Sequence, residues 1–365
     1  MYTYQPQLSV YCEVLGAGAA MTGTILSSYG FVQMLCRIPV GLLSDFLRRR
    51  KVFVTAGAAV TVFSALGMYL ARTPEMLLVF RGLSGVSASA WVTYTVLFSG
   101  YFEGPDAPRA MSRLMVFNHL GTMLAMLLGG LAAQYLGVGA SFALACVTGT
   151  IAVVLSLGIT EQRPQTASAV SGKELLSVAG NRTLLKVSVL GLLAQIIQQG
   201  ATLGFTPKFA AGLGASAAQL GLLSGAAVLG AMCSSWFNAH YLLKRFGTRP
   251  CILAGQLLYA SATVLLPIVS KNVETVLLMQ FLVGLGNGAF FPLLMGMAIA
   301  EIDGARRGLA MGMFQSIYAL GMFLGPLATG FLIERFSIGT SICCIGCIGF
   351  VLLLVSFRIL PGKKA

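Results

Sequence analysis

The chain has 365 residues, of which 57% are hydrophobic and only 10% are charged, whereas about 25% of the residues of a soluble globular domain are charged. This composition excludes an ordinary water-soluble protein. The formal net charge of +13 does not indicate nucleic-acid binding, because the basic residues are dispersed between long apolar segments rather than gathered in one patch.

Eleven apolar segments are long enough to cross a bilayer, whose hydrocarbon core takes about 20 helical residues. They cover approximately residues 17–44, 52–72, 76–100, 110–135, 140–160, 184–206, 216–241, 250–270, 274–300, 308–333 and 338–359. The sequence therefore predicts an all-α integral membrane protein with 11 transmembrane helices.

The loops between these segments differ in charge. If successive segments alternate in direction, every other loop lies on the same side of the membrane as residues 45–51. Most of the 24 Lys and Arg residues fall in the loops on that side. Short cytoplasmic loops are enriched in basic residues. We therefore expect a multi-pass protein of the cell membrane, with the N-terminus outside and the C-terminus in the cytoplasm.

The longest polar stretch, residues 161–183, predicts a cytoplasmic linker between two bundles, 1–160 and 184–365. A shift of about 200 residues places Gly121 on Gly321 and Gly130 on Gly330, which indicates a duplication with parallel repeats. In this register the segment 184–206 has no partner in the first half, and residues 4–16 fall where a loop belongs. We infer an arrangement of six plus six helices from which the first helix is missing here.

The loop after the first apolar segment carries a distinctive pattern. Gly41 is followed by Asp45 and a basic cluster that includes Arg49 and Arg50. A glycine permits close helix contact, and a carboxylate accepts charge-assisted hydrogen bonds from an arginine or a helix N-terminus. Such a contact can hold two bundles together and be broken when they rock, although positive-inside anchoring would also explain the basic residues.

This loop resembles the signature cytoplasmic loop of the major facilitator superfamily of secondary transporters, with Phe46 and Arg48 as departures from its pattern. Arg81 and Gly85 resemble the arginine motif of that family's helix 4. The glycines from 121 to 130 and from 321 to 330, the second group with Gly325 and Pro326, resemble the helix 5 motif of the drug/proton antiporter-like branch. The resemblance implies two helical bundles around a central cavity, and it implies helix packing at Gly121, Gly130, Gly321, Gly325 and Pro326.

Polar and aromatic side chains within the segments are candidates for binding the solute or coupling ion. In this superfamily helices 1, 4, 7 and 10 surround the cavity, and helices 5, 8 and 11 add to its wall. An arginine inside the bilayer needs water or a polar partner, so Arg81 is expected to face the interior of the bundle. Alternatively, its long side chain reaches the lipid headgroups. The other candidates on the matching positions are Trp91, Tyr94, Asn118, His119, Gln195, Gln198, Gln199, Asn238, His240, Asn287, Gln315 and Tyr318. A hydrogen bond between helices is the alternative role for each of them.

The sequence shows no nucleophile triad, metal cluster or phosphate loop, so we expect neither an enzyme nor a cofactor or metal. No acidic residue is central in a segment, which leaves the coupling ion open between a proton and another ion. We interpret the chain as a monomeric secondary carrier of a small organic solute in the lipid bilayer, working by alternating access, with proton-coupled efflux or uptake. The alternatives are a non-transporting receptor or scaffold on the same fold, and an inactive fragment truncated at its N-terminus.

Overall fold

The computed structural model describes residues 1–47, 49–99, 101–102, 106–161, 177–302 and 306–360, with only the backbone described at 45, 99 and 106–113. Eleven helices in these ranges are long and apolar enough to cross a membrane, as the sequence predicts. The first group comprises α1 (Leu8–Val14), α2 (Ala19–Leu47), α3 (Arg50–Leu70), α4 (Pro74–Ser89), α5 (Trp91–Ser99), α6 (Asp106–Leu136) and α7 (Gly139–Leu157).

The second group begins with α8 (Arg182–Ile197), which continues through a π-helical segment, Gln198–Phe205, into α9 (Thr206–Gly212). It goes on with α10 (Ala217–Phe237), a π-helical turn Asn238–Leu242, α11 (Leu243–Phe246), α12 (Thr248–Val269), α13 (Val273–Ala300), α14 (Arg307–Arg335) and α15 (Ile338–Ile359). Helices α4 and α5 form one span, as do α8 with α9 and α10 with α11. Most of the linker predicted at 161–183 lies outside the described residues.

Side-chain caps fix where several spans begin. Thr73 accepts the backbone N–H of Met76 at the start of α4, and Asn181 accepts that of Leu184 at the start of α8. Ser216 and Gln219 form a reciprocal capping box at the start of α10. These contacts satisfy N–H groups that have no partner within the helix, so each span starts at a defined residue.

Because successive spans alternate in direction, their ends meet at two faces of the molecule. We name them the Glu13 end, where α2 and α14 meet at Ala19 and Arg335, and the Glu161 end, where α3 begins at Arg50. Large apolar side chains such as Phe117, at 72% exposure, and Leu155, at 71%, cover the outside of the bundles. An apolar outer surface is what contact with lipid chains requires.

The first residues of the chain differ from the expected loop. Residues 5–7 form a 3-10 turn and Leu8–Val14 form α1, and Tyr4, Leu8 and Cys12 are completely or almost completely buried in the core of the first bundle. The second half of the chain has the same arrangement. There α9 and a turn at Gly214 precede α10, just as α1 and a turn at Gly16 precede α2, and both glycines have positive φ. In the duplicated fold, this segment therefore corresponds to the second half of the span Arg182–Gly212.

Two pairs of glycines bring the bundles together near the Glu13 end. A Cβ atom on Gly23 of α2 would lie 2.5 Å from the Pro326 carbonyl oxygen and 3.0 Å from Gly330 Cα of α14. A Cβ atom on Gly221 of α10 would lie 3.0 Å from Gly130 Cα of α6. The two contacts stand at matching places of the two repeats, and only glycine permits such close backbone approach.

Candidate functional site

A cavity of about 400 Å³ lies between the two bundles, a volume within the range of small-molecule sites. Its lining comes from the middle of the spans and from their halves toward the Glu161 end, such as Tyr29 to Arg37 on α2 and Gly284 to Met295 on α13. At the Glu13 end the glycine contacts bring the bundles together. The cavity therefore extends from the centre toward one end of the molecule.

Most of the residues singled out in the sequence line this cavity. They are Trp91, Asn118, His119, Gln195, Gln198, Gln199, Asn287, Gln315 and Tyr318. Tyr94 does not line it but stacks on Trp91, with ring centroids 5.6 Å apart. Asn238 and His240 lie away from it: Asn238 is buried and donates to the Ala289 carbonyl, and His240 packs against Trp236. The fold thus brings together side chains from spans that are distant in the sequence.

The amide groups of the second bundle form a network centred on Gln198. Its side-chain oxygen accepts hydrogen bonds from Asn287 Nδ2 at 2.7 Å and from the Tyr259 hydroxyl at 3.1 Å. Gln198 begins the π-helical segment, where the wider turn changes the backbone hydrogen-bond pattern. The buried Gln280 of α13 donates to the Thr202 carbonyl within that segment at 2.9 Å. These contacts hold one wall of the cavity in a defined arrangement.

Arg37 is a lining residue for which no sequence motif indicates a role. It is only 3% exposed, and its Nη1 donates to the hydroxyl of Tyr318 on the opposite bundle at 3.4 Å. Its Nε has no hydrogen-bond partner. The signal was present, since an arginine within a span is costly, but the residues around it come together only in the fold.

Arg81 lies beside the main cavity rather than on it, and it also is 3% exposed. Its Nη2 donates to Gln5 Oε1 at 2.7 Å, and its guanidinium carbon lies 4.5 Å from the ring centroid of Tyr29. A second ring, that of Tyr4, lies at 5.8 Å. Arg81 is therefore partnered inside the first bundle instead of reaching the headgroups.

His119 is the cavity's single imidazole among the described lining residues. It is exposed to the cavity, and its Nδ1 lies 2.7 Å from the carbonyl oxygen of Met115. Because this carbonyl can only accept, we assign the proton on Nδ1, which leaves Nε2 as the acceptor. Nε2 is then the atom available for a proton or a solute.

The loop predicted to gate transport is anchored within the first bundle. The carboxylate of Glu161 accepts the backbone N–H groups of Arg50 and Lys51, the latter at 3.2 Å, and Lys51 Nζ donates to the Leu157 carbonyl at 2.7 Å. Arg49 is exposed, Gly41 lies against Val92, and the side chain of Asp45 lies outside the described residues. The carboxylate at the start of α3 is favoured by the helix dipole.

Polar contacts between the bundles accompany the glycine pairs at the Glu13 end. Glu334 of α14 accepts the backbone N–H of Ala20 at 3.2 Å, Lys208 lies 3.3 Å from the Glu13 carboxylate, and Gln7 donates to the Ala217 carbonyl at 3.3 Å. We call these three contacts and the two glycine pairs the closure. The closure joins the two bundles at the Glu13 end.

The predicted packing glycines differ in their surroundings. Gly321 and Gly325 lie against the backbone of α8, at Leu192 and Ile196, and Gly130 lies against Gly221. Pro326 is buried and lies next to Gly23. Gly121 is different, since a Cβ atom there would meet nothing within 4 Å; the close packing expected for it is absent from this conformation.

A larger cavity of about 1040 Å³ lies at the periphery of the second bundle, among Trp236, Phe237 and Phe246. Its lining is almost wholly apolar, and Trp236 is 58% exposed. Such a groove faces the hydrocarbon and offers little to a polar solute. Among the described residues there is also no group of three His, Cys, Asp or Glu side chains that could hold a metal.

Comparison with known proteins gives consistent matches over nearly the whole chain. The family model described as Major Facilitator Superfamily matches residues 1–209 and 187–365. An uncharacterized MFS-type transporter of Methanocaldococcus jannaschii is 23% identical, over 90% of this chain and 86% of its own length. A class C tetracycline resistance protein of Escherichia coli is 24% identical, over 85% and 79% respectively.

Solved structures have the same fold. A mutant of the nucleoside transporter NupG superimposes with a TM-score of 0.78 at 15% identity, over 99% of this chain and 96% of that one. A bacterial homologue of the human lysosomal transporter Spinster, inward-facing and unoccupied, gives 0.77 at 13% identity, over 100% and 96%. With the eleven apolar spans and the central cavity, these matches show that the chain is a multi-pass secondary transporter of small solutes and belongs to the major facilitator superfamily.

Proposed function

We propose that the chain carries a small organic solute by alternating access, and that the cavity between the bundles is its binding site. The observation that carries this proposal is the asymmetry of the cavity: the closure joins the bundles at the Glu13 end, and the polar lining extends toward the Glu161 end. A carrier of this type rocks its two bundles around a site near the bilayer midplane. Transport then requires the closure to open while the Glu161 end closes.

We further propose that the Glu161 end is cytoplasmic and that the protein acts as a monomer in the cell membrane. The support is the concentration of Lys and Arg in the loops at that end, because cytoplasmic loops are enriched in basic residues. In this orientation the conformation described here is inward-facing. The predicted gating role of Gly41, Asp45, Arg49 and Arg50 belongs to the same proposal, since these residues would meet the second bundle when the cytoplasmic end closes.

A proton is the coupling ion that we propose, with His119 as its carrier. No Asp or Glu is among the cavity's described lining residues, and His119 is one of them, with its Nδ1 at the Met115 carbonyl. An imidazole nitrogen can accept and release a proton, so His119 can take up a proton at one membrane face and release it at the other.

A reversible crosslink across the closure tests alternating access. Solute flux is measured in proteoliposomes containing the full chain with Ala20→Cys and Glu334→Cys, using counterflow or solid-supported-membrane currents with a broad solute panel. We expect oxidation to abolish flux and a reductant to restore it, because the Glu13 end can no longer open. The single variant Ala20→Cys is the matched control and should transport under both conditions. Flux that persists after the crosslink has formed would show that this end does not open during transport.

A further inference from the structure

Two buried arginines stand in the first bundle without a compensating carboxylate. Arg37 and Arg81 are each 3% exposed, and no Asp or Glu among the described residues forms an ion pair with either of them. In the sequence, all 11 acidic residues lie at or beyond the ends of the spans. Arginine remains charged in proteins, so two positive charges persist inside the membrane-spanning region.

The surroundings of the two arginines differ. Arg81 is held by hydrogen bonds to Gln5 and Ser84 and by the faces of Tyr29 and Tyr4. Neutral partners and aromatic faces of this kind stabilise a buried guanidinium. Arg81 is therefore accounted for as a structural residue that fastens the N-terminal segment to α4.

Arg37 has fewer and longer contacts. Its single hydrogen bond, to the Tyr318 hydroxyl, is long at 3.4 Å, and the one ring near its guanidinium carbon, that of Tyr318, lies 5.8 Å away. Its Nε has no hydrogen-bond partner, as is also true of Arg81. A buried charge without partners costs much free energy. Arg37 lines the cavity, so a solute in the cavity can reach its guanidinium.

The polar groups around Arg37 are also incompletely satisfied. The side-chain oxygens of Gln33 on the same helix and of Gln315 on α14 are buried and have no hydrogen-bond partner. An amide side chain can turn its NH₂ group toward an acceptor, and Tyr318 supplies a hydroxyl. Arg37 and Gln33 belong to the first bundle and Gln315 and Tyr318 to the second, so one bound group would touch both.

We propose that the transported solute carries an anionic group, a carboxylate or a phosphate, and that Arg37 binds it, with Gln33, Gln315 and Tyr318 as further hydrogen-bond partners. A guanidinium presents parallel N–H donors that match the two oxygens of such a group. The remainder of the described lining consists of amides, hydroxyls, aromatic rings, apolar side chains and His119. This inference rests on the proposed function of the cavity and names its substrate class.

Binding to the purified full chain in lipid nanodiscs tests this assignment. The probes are pairs of an acid and a neutral analogue: benzoate with benzamide, nicotinate with nicotinamide, and phenyl phosphate with phenol. Thermal-shift screening identifies the pair members that bind, and titration then gives their affinity. We expect at least one acid to bind and its neutral analogue to bind at least about 10-fold more weakly. The substitution Arg37→Gln should lower the affinity for the acid by a similar factor.

Two further variants separate binding from folding. Arg249→Gln removes an arginine at the start of α12, whose Nη2 donates to the Phe357 carbonyl away from the cavity, and should leave the affinity for the acid unchanged. Arg37→Lys keeps the charge but loses the two parallel donors, so it should bind the acid with intermediate affinity; it also serves where Arg37→Gln does not fold.

The proposal is overturned if none of the acids binds, if the neutral partners bind equally well, or if both Arg37 variants keep the wild-type affinity. These results are distinguishable from failure of the proposed function. If the chain carries a neutral solute and the crosslink blocks its flux, the carrier proposal is supported and the anionic substrate class is refuted. An acid that binds at Arg37 but is never carried would refute the carrier proposal alone.

Discussion

Replacement of Gly23 by alanine tests whether the closure is held by close backbone contact. The new Cβ atom would lie 2.5 Å from the Pro326 carbonyl oxygen, where ordinary contact begins at 3.4 Å. The neighbouring atoms belong to the backbone of α14, so no side-chain rotation relieves the overlap. The helices must separate, and overpacking of this kind costs about 1–3 kcal/mol.

This cost arises only when the Glu13 end is closed. The equilibrium should therefore shift toward the conformation that is open at this end, by a factor of about 5–150. Spin labels at Arg72→Cys and Lys271→Cys, in the exposed loops of the two bundles at the Glu13 end, report the separation by pulsed electron paramagnetic resonance. The exposed Cys233, Cys344 and Cys347 are first replaced by serine. We expect the population with the longer distance to increase.

Gly121→Ala is the matched control for this experiment. It makes the same change within α6, where a Cβ atom meets nothing within 4 Å. Both variants gain the helix propensity of alanine, about 1 kcal/mol, so the difference between them isolates the contact. Identical distance distributions for Gly23→Ala, Gly121→Ala and the unsubstituted chain would refute the reasoning.

Three other predictions concern single side chains. Arg37→Gln should raise the melting temperature of the solute-free protein, since it removes a buried charge that costs about 2.5–3.5 kcal/mol within a membrane helix; a clear fall would show that Arg37 is structurally satisfied. Glu161→Gln should lower the free energy of unfolding by about 1 kcal/mol, because the carboxylate caps the N–H groups of Arg50 and Lys51, and an unchanged thermal or denaturant midpoint would contradict this role. His119→Gln should abolish the stimulation of flux by an imposed proton gradient; stimulation that is unchanged would exclude His119 as the proton carrier.

The sequence was sufficient to predict the membrane class, the spans and the family because these depend on local properties. A run of about 20 apolar residues identifies a membrane helix whatever surrounds it, and the loop from Gly41 to Lys51 is contiguous. The helical structure of residues 5–14 was missed because this segment is too short to span a bilayer. Its relation to α9 is visible only through the shared turns at Gly16 and Gly214.

The candidate site was predicted in part. Gln195, Gln199 and Asn287 were found because amides inside apolar spans are conspicuous, and the family's helix order placed them at the cavity. The roles of Arg37 and Tyr259 depend on contacts with Tyr318 and Gln198, which are 281 and 61 residues away, and no local pattern indicates them. The π-helical segment at Gln198 likewise has a contact from a distant residue, since Gln280 donates to the Thr202 carbonyl within it.

The composition of the closure is suited to a conformational change that a solute can drive. Glu13 is 63% exposed in its ion pair with Lys208, and such a pair contributes about 1 kcal/mol or less. The hydrogen bonds to Ala20 and Ala217 each contribute about 1 kcal/mol. A ligand that prefers one state by about 5.5 kcal/mol can reverse a two-state equilibrium almost completely, and a bound group that touches Arg37 and Tyr318 would have different contacts in the two states. Because the polar contacts of the closure are weak and the site bridges both bundles, differential binding of the solute can shift the equilibrium between the closed and open states of the Glu13 end.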